Sequence, residues 1–470
     1  MEDEKTLYNY VYRLILNDIY NGKYLLNDKL PPLPKLSDEY LVSRNTIRSA
    51  LSLLQENGYI TMKKGAPAQV IFDIYNFVNN DAYRQEFVDM GKMIDDIFDT
   101  MALVLPKVSI MALDQATDEQ FKTLEAMINN FSCEKISTNY ELFDQLFGIY
   151  LYAFGFLNNP ILNDLFLILI SSVRLPILTE KKITDILNRN IKTIKKLLET
   201  VLKSYKKHNH FMVQILITAL CKGAKKTSTN YIKLICSDLS PKNKITFTWN
   251  SNRNQEYLYT QVVLSILKNI SNGTYQPNDS LPSISKLAKE YNVSEKTSRK
   301  ALDFLREYHV IETINGVGSK IALNKLYPNQ PVLNNFFIEQ FYNSLSLIKI
   351  FGNTIAHNSL KHSTKQEIAD IALKTREQSI FSTELYWNHI FSKQNECLYT
   401  IYQELNKSIS WIVLLSSQID FTNYEEQLNN LKIDFLNALD SHNTSKIIQT
   451  SNQIADIYLE LVKNIIQKTE

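Results

Sequence analysis

The chain repeats itself. The run Val42-Ser43-Arg44-Asn45-Thr46-Ile47-Arg48-Ser49-Ala50-Leu51 returns, at a constant offset of 251 residues from Val42 to Val293, as Val293-Ser294-Glu295-Lys296-Thr297-Ser298-Arg299-Lys300-Ala301-Leu302. The match runs without a gap from Tyr8 over Tyr259 and Gly22 over Gly273 to Ile60 over Ile311 and Gly65 over Gly316. Between Leu30 and Ile60 roughly half the positions are identical, polar faces included, which marks an internal duplication. At 470 residues the chain also exceeds what one hydrophobic core accommodates, so roughly two to four domains are expected.

Each copy has the pattern of three short helices and a hairpin. In the first, Leu7, Val11, Leu14, Ile15 and Ile19 recur at helical spacing until Asn21-Gly22. A short helix with Leu36 and Tyr40 inward comes next, then a turn at Leu41-Val42 and an N-cap at Ser43. On the helix that follows, Ile47, Ala50, Leu51 and Leu54 form an apolar stripe. Asn45, Arg48, Ser49 and Ser52 face the other way, with Arg44 at the N-terminal shoulder. A helix that reads base edges needs this division, one face packed on its own domain and the other carrying polar side chains from its first turns. After Gly58-Tyr59-Ile60, residues 61–71 read as a two-stranded wing whose tip, Lys63-Lys64-Gly65, lets the backbone approach sugar and phosphate.

The succession Gly22, Leu30-Pro31, Leu36, Val42-Ser43-Arg44, Thr46, Arg48, Ala50-Leu51, Leu54, Gly58 and a glycine wing resembles the N-terminal domain of the GntR superfamily, over residues 7–72 and again over 258–323. The resemblance implies DNA contacts by Ser43, Arg44, Asn45, Thr46, Arg48, Lys63, Lys64 and Gly65. In the second copy it implies contacts by Ser294, Lys296, Thr297, Arg299, Lys300, Gly316 and Lys320. Two departures stand out. Where the family often has an arginine after Leu-Pro, this chain has Pro34 and Ser285, each followed by a lysine (Lys35, Lys286). Where the first copy has Arg44 the second has Glu295, which repels phosphate but can accept from cytosine. The two copies are therefore expected to read different half-sites, or the second to read poorly.

Outside the repeats the pattern is helical. Residues 74–236 include an amphipathic run with Ile183, Leu187, Ile191, Ile194, Leu198, Val201 and Leu202 on one side, and a segment, Glu141–Ile177, more apolar than one buried face requires. Phe143-Asp144, Phe147, Asn159-Pro160-Ile161-Leu162 and the long helix after them are similar to the FadR-type helical ligand domain (FCD) of the same superfamily. Residues 237–257, polar apart from Ile245-Thr246-Phe247-Thr248-Trp249, read as a linker. Residues 325–470 read as a second all-helical region ending in helices at Tyr424–Leu439 and Thr444–Ile466. The expected architecture is mainly α: two winged helix-turn-helix domains (1–73, 258–324) alternating with two helical bundles (74–236, 325–470) for effector binding and dimerisation.

Net charge is only +2, so a nucleic-acid surface has to be a local patch. Cys133, Cys221, Cys236 and Cys397 lie far apart, which excludes a zinc ribbon and fits reduced thiols in a cytoplasmic setting. The start of the chain lacks an apolar run behind basic residues, so no signal peptide is expected, and the longest apolar runs are too short to span a bilayer. The many tyrosines carry no functional reading. Metal-binding members of the helical-domain family use an Asp followed four residues later by His. Here Asp144 is followed by Gly148, His208 and His210 lie elsewhere, and Leu385 stands where the acid would precede His389 and His442, so no metal is expected. Arg174, inside an apolar helix, either clamps the carboxylate or phosphate of an effector or snorkels to solvent or an intramolecular partner; Trp411 stands near its matching place. No nucleotide-binding, nucleophile or zinc-protease motif occurs, so no enzyme and no cofactor are expected. Together these features predict a sequence-specific regulator that binds a double-stranded DNA operator, responds to an unknown small molecule, and acts as an internal pseudo-dimer or a homodimer. The alternative is a winged-helix protein used for protein–protein assembly.

Overall fold

The computed structural model describes residues 7–20, 22–40, 42–73, 80–131, 139–173, 181–251, 259–314, 318–322, 333–377, 383–416 and 423–469; the side chains of 7, 139–143, 181–191, 468 and 469 lie outside that description. It is mainly helical, with a small β-wing in each repeat. The chain divides into two units, Met1–Trp249 with Asn395–Thr400, and Asn250–Gln394 with Ile401–Glu470.

In the first unit α1 (Leu7–Tyr20), α2 (Leu33–Glu39) and α3 (Arg44–Glu56) form a three-helix head, closed by the antiparallel wing strands β1 (Ile60–Thr61) and β2 (Gln69–Val70). Val11, Ile15 and Ile19 of α1 meet Leu36 and the stripe Ile47, Ala50, Leu51 and Leu54, all buried. Removing that apolar surface from water is what orients α3. Behind the head stands a bundle: α4 (Asp81–Gln115), α5 (Asp118–Asn130), α6 (Asn139–Gly155), α7 (Pro160–Ser172), α8 (Lys181–Lys206) and α9 (His210–Ile235). The long α4 packs along α9, α9 on α8, α5 on α6 and α8, and α6 on α4. Local rules set the starts: Thr117 and Gln120 close a capping box on α5, and Asn159 caps α7 with Pro160 in its first turn.

The second unit repeats this order. Its head is α10 (Thr260–Ser271), α11 (Ile284–Glu290), α12 (Glu295–Glu307), β3 (Ile311–Ile314) and β4 (Gly318–Ile321). The duplication extends to strand register: Ile60 pairs with Val70 and Ile311 with Ile321, while single bridges join Lys29 to Gln69 and Ser280 to Lys320. The second bundle comprises α13 (Asn335–Lys361), α14 (Lys365–Glu377), α15 (Glu384–Ser392), α16 (Glu396–Ile409), α17 (Ile412–Leu415), α18 (Glu425–Asp440) and α19 (Thr444–Thr469). Here α13 packs along α19, α19 on α18, α14 on α15 and α18, and α15 on α13, the same succession of partners as in the first bundle. Gly352 of α13 lies against the ring of the buried Trp387 on α15. A Cβ there would stand 2.1 Å from the indole, so only glycine permits this approach.

The stretch read as a linker behaves otherwise up to Trp249. Arg84 of α4 donates to both carboxylate oxygens of Asp238, at 2.5 and 2.8 Å, and Gln85 donates to the Ser240 carbonyl. Asp89, itself buried, accepts from the Lys242 backbone N–H at 2.8 Å and from the Asn243 amide at 3.0 Å. Phe247 and Trp249 are buried, and the Trp249 indole N–H donates to Asp164 of α7 at 2.8 Å. The alternating run 245–249 forms no strand among the described residues, and instead lies as a strap on the first unit. Burial of its two large aromatics and the hydrogen bonds to its backbone favour that course over a solvated one. The proposed hinge at Asn324–Pro331 falls outside the described residues.

Candidate nucleic-acid interface

Ser43 caps α3: its Oγ accepts the Thr46 N–H at 2.9 Å and stands 2.8 Å from the Thr46 hydroxyl. The cap fixes where the helix begins, and so which residues occupy its exposed first turn. Arg44, Asn45 and Arg48 are exposed there, and Arg48 Nη1 donates to Asn45 Oδ1 at 2.9 Å. The pair holds a guanidinium and a carboxamide side by side, the two groups that bond guanine and adenine edges in the major groove. Ser43 and Thr46 are half-buried in the cap, so their contribution is first to the geometry of the helix start. On the wing Lys63 and Lys64 are exposed, the Ala66 N–H closes a turn on the Lys63 carbonyl at 3.1 Å, and Gly65 takes φ +79° with open space where a Cβ would be. A bare backbone between two cations suits close approach to a phosphodiester.

The second head reproduces the frame with other chemistry. Ser294 caps α12 with the same two contacts to Thr297, at 3.0 and 2.8 Å. Glu295, Lys296 and Arg299 are exposed in place of Arg44, Asn45 and Arg48. Lys300 departs from the sequence reading: its Nζ lies 4.4 Å over the Tyr259 ring, a cation–π contact inside its own head. Lys320 sits half-buried opposite Glu312 in the wing ladder. Gly316 lies outside the described residues, and the positive φ of +111° recorded in this wing belongs to Gly318. Lys35 and Lys286, beside the missing family arginine, are exposed near the starts of α2 and α11.

Arg174 lies outside the described residues. Among the described residues no three His, Cys, Asp or Glu gather as metal ligands. His389 Nε2 stands 2.7 Å from the Ser363 hydroxyl, and the two ring nitrogens of His442 face the Asp440 and Lys365 carbonyls. The thiols of Cys221 and Cys397 are buried, and burial pushes both above their usual range, that of Cys221 to about 12, which leaves them inert. Among the described residues no helix is long and apolar enough to cross a membrane.

Sequence reasoning missed the joint between head and bundle. Tyr20 of α1 and Tyr59 before β1 stand with their hydroxyls 2.6 Å apart and both donate to Glu86 Oε2 of α4, at 2.8 and 2.6 Å. Burial and then the Glu86 charge raise both phenols well above their usual range, so they remain donors at any working pH. Phe72, Tyr83 and Phe87 pack round them. The one signal lay in the repeat itself, which has Ser271 and Val310 where the first copy has Tyr20 and Tyr59.

Comparison with known proteins agrees with this geometry over part of the chain. The Exu regulon transcriptional regulator of Escherichia coli K12 is 26% identical over 125 residues, 27% of this chain and 48% of that protein. The mannosyl-D-glycerate transport/metabolism system repressor MngR of the same organism is 39% identical over 64 residues, 14% of this chain and 27% of its own length. The chain thus spans about half the length, or less, of these relatives, which are named as regulators and not as enzymes. A Streptococcus agalactiae GntR structure is 15% identical, covers 47% of this chain and 100% of its own, and superposes with a TM-score of 0.24, too low to argue from. The two heads, at residues 7–70 and 258–321, each match the family of bacterial regulatory proteins named gntR.

Proposed function

We propose that this chain is a sequence-specific DNA-binding transcription regulator, with two non-identical winged helices reading two half-sites of one operator. The observation that carries the reading is the exposed Arg44, Asn45 and Arg48 face, capped by Ser43 and flanked by Lys63 and Lys64. Arg48 and Asn45 would bond base edges, Arg44 and the wing lysines the phosphates. In the second head Lys296 and Arg299 would take the basic role, with Lys320 on the wing, and Glu295 would favour a cytosine, so an asymmetric operator suits this protein. The shared packing order of the two bundles supports duplication of a whole module of the FadR-like, FCD-type kind. Such a chain can supply both heads itself as a pseudo-dimer or pair with a second copy. A small molecule bound in the helical part would shift the arrangement of the heads in a cytoplasmic regulator.

A gel-shift titration against promoter fragments tests this. Arg48→Ala and Arg299→Ala are each expected to weaken specific binding by about 1–3 kcal/mol. If both bind like the parent, these faces do not read DNA. Salt-insensitive or absent DNA binding would favour a protein-assembly role.

A further inference from the structure

We infer that a cavity at the seam of the first unit is a binding site for a small monocarboxylate, an inference that rests on the proposed small-molecule response. The cavity, of about 50 Å³, lies where three parts of the unit meet: α1 of the head, α4 and α7 of the bundle, and the strap at 245–248. A water needs roughly 10–15 Å³ of such space and a benzene-sized guest about 150 Å³. The space therefore admits a solute of about four heavy atoms and excludes sugars and nucleotides.

Its walls set the chemistry. Met90, Met93 and Phe247 supply apolar surface, and the methionine side chains can re-pack around a guest. Arg13 is the cation of the lining, half-buried, with Nη1 donating to the Thr246 carbonyl of the strap at 3.2 Å. Glu86, the carboxylate of the lining, is held through Oε2 by the Tyr20 and Tyr59 hydroxyls. With that carboxylate already hydrogen-bonded, the charge left to select a guest is the guanidinium, whose planar fork of N–H donors fits a carboxylate. A short alkyl group would then lie against the methionines and Phe247, and an added ammonium would be buried without need.

The position gives the site its consequence. A guest here touches the helix on which α3 packs, the bundle, and the strap through which the chain continues to the second head. Its binding free energy would favour the closed seam by as much as it prefers closed over open.

The test uses the full chain, with acetate and pyruvate as probes against acetamide and methylammonium, at ionic strength matched with chloride. Thermal melting and calorimetric titration are expected to show saturable binding of at least one carboxylate and none of the neutral or cationic analogues. Arg13→Gln should weaken that binding by about tenfold or more, and Ser172→Met, which fills the cavity without touching Arg13, should abolish it. Equal responses to acetate and acetamide, no binding of either carboxylate, or unaltered binding by Ser172→Met would each overturn the site. Gel shifts in parallel separate this from the wider reading: DNA binding without a carboxylate response removes the site alone, and absence of DNA binding in every state removes the regulator.

Discussion

Ser43 and Ser294 occupy the same place in the two heads and make the same bond to the third residue of the helix each begins. Replacing either by alanine leaves a donor at the helix start without its acceptor, so Ser43→Ala is expected to lower the stability of the first head by about 1 kcal/mol, seen as an earlier urea transition for that unit. The cap was legible because a serine three residues ahead of a threonine, before an apolar stripe, needs only local geometry. Lys300 was not legible, because its contact is with Tyr259, forty-one positions earlier in the chain and brought close only by the fold. His389 gives a prediction of another kind. Burial, helped by the neighbouring Lys393, pushes its imidazole below the usual 6.5, with Glu367 pulling the other way. The folded chain then binds fewer protons than the unfolded chain as pH drops through 6.5, and stability is lost from there down to the depressed folded value. Melting between about pH 7.5 and 5.5 should show this loss in the second unit, and His389→Gln should flatten it.

Helices α1 and α10 begin almost identical heads, yet each head meets its own bundle differently. In the first unit the joint is polar, with two phenols on one carboxylate. In the second it is aromatic: Phe304 on α12 lies edge-on to Phe337 of α13, whose ring stacks on Trp411 at 4.4 Å. Removing one hydroxyl by Tyr59→Phe should therefore loosen only the first head, by about 1 kcal/mol, with faster amide exchange in α1 and unchanged exchange in α10. Within the second bundle Gly352→Ala drives a methyl into the Trp387 ring. A loss of about 1–3 kcal/mol is expected, because neither the helix backbone nor a fully buried indole has room to give; denaturant titration of the second unit measures it. Helix existence followed from the 3.6-residue period, and the partners of each helix did not, since an apolar stripe says that a face is covered and not by what.

For the chain as a unit of function, the question is whether two unlike heads on one polypeptide suffice for one operator. If they do, a single chain binds a two-half-site fragment, and light scattering with gel-shift stoichiometry should return one protein per DNA. Two proteins per fragment would instead identify a homodimer of a duplicated chain. Either result bears on the strap, which turns a nominal linker into a pinned segment as far as Trp249. A linker reading rested on polarity, and polarity proved misleading. The backbone of 238–243 is satisfied by Arg84, Gln85 and Asp89 of α4, residues more than 150 positions away.

Periodicity, caps and an exact internal echo are short-range properties, so the chain's order of residues was enough to specify two three-helix heads, their wings and the exposed Arg44, Asn45 and Arg48 face. Contacts between elements distant in sequence obey a different logic. The Tyr20–Tyr59–Glu86 joint, the course of the strap, the inward turn of Lys300 and the seam cavity each need side chains from several elements to meet. That meeting is settled by how buried surfaces fit and which polar groups they leave to be paired, quantities that exist only once the helices have packed.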